Sequence, residues 1–181
     1  YFGDLPNQLL ESGISSSVIL INHAKVSKKQ ALNGWVDNKV HRLILSSSLD
    51  ILSEIRSYFA QLKSKQKLKL ILKGLKVDKL LEQDILRNHL SSGTFTALRV
   101  AKQVMDIAKK TDAKFIVTTY EGHAWERLVY YYARRANIKC FGYQHAAISE
   151  HQHAIKRPLS KEYNPNVILT SGLISQTIFS Q

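Results

Sequence analysis

Five short apolar runs, separated by stretches with helical periodicity, constrain the fold of this chain more than any other feature. The runs are rich in Val, Ile and Leu, and they cover residues 17–22, 40–46, 114–119, 138–143 and 166–170. Apolar residues follow one another within these runs rather than alternating with polar ones, which is typical of parallel strands covered on both faces. We therefore predict a strand at each run.

The stretches between the runs have the periodicity of helices. They predict helices over residues 49–62, 80–89, 94–110 and 123–137, and a short helix after residue 172. The first helix is preceded by Ser47 and Ser48, which can cap it. It places four apolar side chains on one side, as an amphipathic helix does: Ile51, Ile55, Tyr58 and Phe59.

The alternation of strands and helices predicts an α/β fold with an open parallel sheet flanked by helices, similar to a Rossmann domain. The 181 residues suffice for one compact domain, which we assign to residues 1–181. The chain begins at Tyr1 and ends at Gln181, directly after an apolar stretch, so we expect it to be a piece of a longer protein.

Positive charge is concentrated in one part of the chain. The net charge is +12, and residues 25–76 contain twelve basic residues against three acidic ones. Within this part, residues 61–76 (QLKSKQKLKLILKGLK) interleave lysines with leucines. The segment is compatible with a solvated helix face running into a strand, with peripheral contact to an anionic membrane surface, or with nucleic-acid binding. Nucleic acid is the least favoured partner, because the segment has no aromatic residue on which a base can stack.

Several classes of protein lack their signatures in this sequence. The single cysteine, Cys140, excludes an intramolecular disulfide or a multi-cysteine metal centre and fits a reducing compartment. The sequence has no apolar run long enough to span a membrane and no signal-peptide pattern. The GxGxxG, P-loop, GxSxG and HExxH motifs are absent. We expect a cytoplasmic protein, peripheral on the inner face of the cytoplasmic membrane if residues 61–76 contact lipid.

Functional groups cluster after the predicted strand at 114–119. Glu121 and His123 flank Gly122, and Trp125 and Glu126 follow in the first turn of the next helix. Ligands of open parallel sheets bind at the carboxyl ends of the strands, so Glu121 is well placed to act as a general base on a hydroxyl group. A capping turn with incidental polar residues is the alternative interpretation, and Glu126 also suits the positive end of a helix dipole.

A second cluster follows the strand at 138–143. Tyr143, Gln144 and His145 lie at the strand end, where a histidine can donate to a phosphate or serve as a base. Lys156 and Arg157 come shortly afterwards and are candidates to pair with a diphosphate.

Histidines in the same region raise the question of a metal site. His151 and His153 are two residues apart, but no cysteine and few carboxylates accompany them. We therefore expect no metal ion and no other cofactor.

Three short motifs carry a resemblance to a known family. EGHAWE at 121–126, GYQH at 142–145 and PNVILTSG at 165–172 resemble bacterial glycosyltransferases that assemble surface polysaccharides such as O-antigen, lipopolysaccharide or capsule. The resemblance covers mainly residues 113–172 and implies one half of the two-domain GT-B fold, the half that binds the acceptor. It implies transfer of a sugar from a nucleotide-sugar donor to a saccharide or lipid-linked acceptor, with no bound metal.

The resemblance also implies roles for individual residues. Glu121 would be the catalytic base, and His145 would face the donor phosphates across the interdomain cleft. His123, Trp125 and Glu126 would shape or orient the site. Beside what the resemblance implies, four further residues complete the candidate substrate-binding set: Tyr143, Gln144, Lys156 and Arg157. The main alternative is a Rossmann-like module that binds a nucleotide or phosphorylated ligand without catalysing a reaction.

Overall fold

The computed structural model describes residues 2–22, 27, 29–30, 39–146, 148, 153–157 and 159–179. The described helices are α1 (Leu5–Glu11), α2 (Ile51–Gly74), α3 (Lys79–His89), α4 (Ser92–Lys110), α5 (Ala124–Arg135), α6 (His153–Lys156) and α7 (Leu173–Phe179), with a 3₁₀ turn at Lys161–Tyr163. The described strands are β1 (Ser17–Leu20), β2 (His41–Ile44), β3 (Phe115–Thr119), β4 (Lys139–Gln144) and β5 (Val167–Thr170). All five predicted strands are therefore confirmed, and the fold class is α/β.

The strands form two small parallel sheets rather than the single sheet that we predicted. One pairs β1 with β2, and the other has the order β3-β4-β5 with β4 in the centre. No backbone hydrogen bond joins the two sheets within the described residues. An apolar run reveals a strand but not its partners, so the sequence pattern was unable to distinguish one sheet from two.

Helices α4 and α5 join the two sheets through a shared core. Buried side chains of α4 and α5 pack with Leu45, which follows β2, and with partly buried residues of β1 and β3, Ile19 and Ile116. Val129 of α5 has no exposed surface. These contacts fix the position of α5 relative to the carboxyl end of β3, from which the chain turns into this helix.

Helix α2 differs most from its prediction. It extends to Gly74, well beyond the predicted end at residue 62, and Asp50 caps it by accepting a hydrogen bond from the Ser53 N–H at 2.9 Å. The strand considered in the basic segment is therefore wrong, because leucine and lysine favour helix and no glycine or proline interrupts residues 51–73. The predicted apolar side is largely exposed rather than packed in the core.

The residues that the structure describes include no helix with both the length and the apolar content needed to cross a membrane.

Candidate functional site

The candidate site lies at the carboxyl ends of two neighbouring strands. Thr119 of β3 is paired with Tyr143 of β4, and the Tyr120 N–H donates to the Tyr143 carbonyl oxygen at 2.9 Å. The segments that leave these strands therefore start side by side. This arrangement brings Glu121 and His145 together, as expected for strand ends of a parallel sheet.

Glu121 lies between two imidazole rings. Its Oε2 is 2.9 Å from Nε2 of His123, and its Oε1 is 3.5 Å from Nε2 of His145. The side chains of His123, Glu121 and His145 are 55%, 37% and 19% exposed, respectively. The carboxylate is thus held by hydrogen-bonding groups yet open to solvent, as a group that exchanges a proton with a ligand must be.

A cavity of about 250 Å³ opens beside this carboxylate. Its lining residues come from both strand ends and from α6: Tyr120, Glu121, His123, Gln144, Ala146 and Ile155. Gln144 is almost fully buried, and its Oε1 accepts no hydrogen bond from any residue that the structure describes. A buried acceptor without a donor is costly, so this oxygen suits a ligand that brings a hydroxyl or amide group.

Gly122 allows the turn that exposes Glu121. Its φ is +82°, in the left-handed region, and a Cβ at this position would lie 2.4 Å from the carbonyl carbon of Ala154. The α6 backbone therefore packs directly on the turn, which only glycine permits. The turn and α6 together form one wall of the cavity.

Glu126 stabilises the turn from the interior of the protein. It is fully buried and accepts hydrogen bonds from the Thr119 hydroxyl at 2.9 Å, the His123 N–H at 2.9 Å and the Glu121 N–H at 3.1 Å. Burial raises the pKa of Glu126, while these donors act in the opposite direction. A side chain so enclosed positions Glu121 and His123 rather than contacting a ligand itself.

Arg127 is a site residue that the sequence prediction missed. It is buried, its guanidinium lies 4.9 Å from the Tyr120 ring centroid, and it donates to the Tyr120 hydroxyl at 2.9 Å. It also donates to the Asn164 side chain and, at 3.4 Å, to the Ile155 carbonyl oxygen. The sequence signal that could have indicated this role is the spacing: Arg127 lies three residues before Tyr130 and therefore on the same, buried face of α5. Arg127 ties the cavity wall to the connection that leads into β5.

The other predicted site residues are placed as follows. Trp125 is partly buried against the α4–α5 core, with its ring stacked on His123 at a centroid distance of 6.5 Å. Tyr143 lies 6.0 Å from His145 between ring centroids. Lys156 and Arg157 are exposed, and within the described residues they form no hydrogen bond or ion pair with Glu121 or His145.

Metal binding was considered for a histidine pair of which His151 lies outside the described residues. In the part of the chain that the structure does describe, no group of three or more His, Cys, Asp or Glu side chains is arranged to hold a metal ion.

In comparisons with known proteins, the chain matches no protein family, no curated protein and no solved structure.

Proposed function

We propose that this chain is the acceptor-binding half of a GT-B glycosyltransferase that builds a bacterial surface polysaccharide. The observation that carries the proposal is the half-open Glu121 carboxylate, held between His123 and His145 at the edge of a cavity. The α/β fold with parallel sheets is compatible with a Rossmann-like half of such an enzyme. Two of the motifs that carry the family resemblance, at 121–126 and 142–145, contribute Glu121, His123 and Gln144 to the lining of this cavity.

The proposed reaction transfers a sugar from a nucleotide sugar to a hydroxyl group of the acceptor. The acceptor oxygen forms a bond to the anomeric carbon, and the bond from that carbon to the phosphate oxygen breaks. Glu121 takes the acceptor proton, and the departing phosphate keeps the electron pair. His145, which lies 3.5 Å from Glu121, stabilises the charge that develops on the phosphate. A general base in this position contributes about 10²- to 10⁴-fold to the rate.

The size and lining of the cavity favour an acceptor rather than a donor site. Its volume of about 250 Å³ is below the range of roughly 300–1,000 Å³ that is usual for complete ligand pockets. It therefore suits the single sugar ring that carries the reacting hydroxyl better than a whole nucleotide sugar. Glu121 and the Oε1 atom of Gln144 are both groups able to accept hydrogen bonds from a ligand, which matches a ligand rich in hydroxyl groups.

Turnover tests this proposal directly. The full-length gene product is incubated with a panel of nucleotide sugars and with saccharide and lipid-linked acceptors, and release of the nucleotide is measured. We expect turnover with at least one pair of substrates, and a loss of 100-fold or more in Glu121→Gln. Glu82→Gln on α3 is the matched control, because it removes a carboxylate that does not line the cavity. Binding of a nucleotide sugar without turnover would instead support the non-catalytic module.

A further inference from the structure

Helix α2 exposes a row of large apolar side chains. Ile51, Leu52, Ile55 and Phe59 are 78%, 64%, 47% and 64% exposed. At about 100° per residue these four fall within an arc of about 100°, so they form one continuous strip over the first turns of the helix. Soluble proteins seldom leave such a strip uncovered, and contiguous exposed apolar patches mark interaction surfaces.

The second half of the same helix presents lysines on the same side. Lys69 and Lys73 fall within the arc occupied by the apolar strip, and Leu70 between them is 70% exposed. Five of the six lysines between residues 61 and 76 are exposed, and no acidic residue lies in this segment. One face of α2 therefore passes from apolar to cationic along its length.

The opposite side of α2 is fixed to the domain. The Arg99 guanidinium on α4 donates to both carboxylate oxygens of Glu54 at 2.6 and 3.0 Å, and Lys102 donates to the Ser57 hydroxyl at 2.7 Å. These contacts hold the helix in one orientation. The apolar and cationic face is thus preformed, and at one edge its Ile55 and Phe59 line a groove with Phe95 and Arg99 of α4.

We propose that this face of α2 docks on an anionic lipid bilayer. The apolar strip enters the boundary between headgroups and acyl chains, and the lysines contact acidic headgroups. Charge complementarity decides the occupant: a second copy would bring a further lysine-rich helix against this one, whereas an acidic membrane offers the opposite charge. The proposal extends the basic segment 61–76 to the exposed strip that precedes it, and it stands independently of the proposed transferase activity.

Sedimentation with vesicles tests the proposal on the full chain. The vesicles contain phosphatidylcholine alone or with 30% phosphatidylglycerol, and the bound fraction is measured at low and physiological salt. We expect binding to the anionic vesicles only. Lys69→Gln/Lys73→Gln should weaken it about 25-fold, at about fivefold per lysine. Leu52→Gln/Phe59→Gln should weaken binding to the anionic vesicles at least tenfold. At physiological salt, where ions screen the lysines, this variant should not bind.

Matched substitutions away from α2 provide the controls. Lys109→Gln/Lys110→Gln removes two exposed lysines from the end of α4, and Leu173→Gln removes a leucine that is 80% exposed in α7. Neither should change vesicle binding, and circular dichroism should show every variant folded. Absence of binding to anionic vesicles would overturn the proposal. Equal binding by Leu52→Gln/Phe59→Gln would also overturn it, as would tighter binding to RNA or DNA than to vesicles.

Discussion

Replacing Gly122 by alanine tests whether the turn that presents Glu121 is built on α6. The new Cβ would lie 2.4 Å from the Ala154 carbonyl carbon and 2.6 Å from the Ile155 nitrogen, both in backbone that cannot rotate away. Gly13→Ala is a matched control, because its φ of +77° is similar and nothing lies within 4 Å of the added Cβ. The control therefore measures the cost of the left-handed conformation alone.

The magnitudes separate the two variants. A left-handed alanine costs about 1–2 kcal/mol, of which the lower entropy of the unfolded chain returns about 0.4–1 kcal/mol. We thus expect Gly13→Ala to lower the free energy of unfolding by about 1 kcal/mol. Gly122→Ala carries the same cost plus about 1–3 kcal/mol for the overlap. The displacement also disturbs Ile155, which is part of the core and whose carbonyl accepts from Arg127.

Urea unfolding followed by circular dichroism measures both free energies under identical conditions. We expect Gly122→Ala to be less stable than Gly13→Ala by about 2 kcal/mol, the middle of the range for the overlap. If the two variants agree within about 0.5 kcal/mol, the turn does not pack on α6 and the cavity wall described above is incorrect.

Three further predictions follow from buried or paired groups. Glu126→Ala leaves two backbone N–H donors unpaired and should lower stability by about 2–6 kcal/mol, whereas Glu126→Gln keeps an acceptor and should cost far less in thermal unfolding. Hydrogen bonds from Arg99 hold the pKa of Glu54 below its usual value. The stability that Glu54 contributes is therefore present above its unfolded pKa and lost as pH falls through the lower folded pKa. Stability measured between about pH 5 and pH 3 should fall less steeply in Glu54→Gln, and parallel curves would contradict this. Burial raises the pKa of the Cys140 thiol to about 11, so labelling by a disulfide reagent at neutral pH should require unfolding, and rapid labelling of the native protein would contradict its placement.

Local signals in the sequence predicted most elements of the fold. Helices α4 and α5 end within two residues of their predicted bounds, because their apolar periodicity and their basic last turns are local features. The C-terminal end of α2 was not predicted. Its second half is a run of leucines and lysines without a clear apolar face, and no residue before Gly74 signals the end of the helix. Its exposed side was not predicted either, because periodicity identifies an apolar face but not what covers it.

For the candidate site, the sequence predicted the residues at the strand ends but not the tertiary contacts that hold them. Glu121 and His145 were each expected at the carboxyl end of a parallel strand, and the pairing of β3 with β4 brings them together at one edge of the sheet. The hydrogen bonds of Glu126 and the role of Arg127 were not predictable, since they depend on how the turn at Gly122 and the segments around Ile155 and Asn164 fold against α5. Such contacts are set by tertiary packing, which spacing along the chain does not encode.

The separate effects of Glu121→Gln on catalysis and on acceptor binding test the central claim most directly. The substitution keeps the size and hydrogen-bonding reach of the side chain but removes its ability to take a proton. From the proposed function we predict that kcat falls by 100-fold or more, that KM for the acceptor changes less than about threefold, and that the free energy of unfolding is unchanged. A kcat within threefold of that of the unsubstituted protein, with folding intact, would contradict the assignment of Glu121 as the general base.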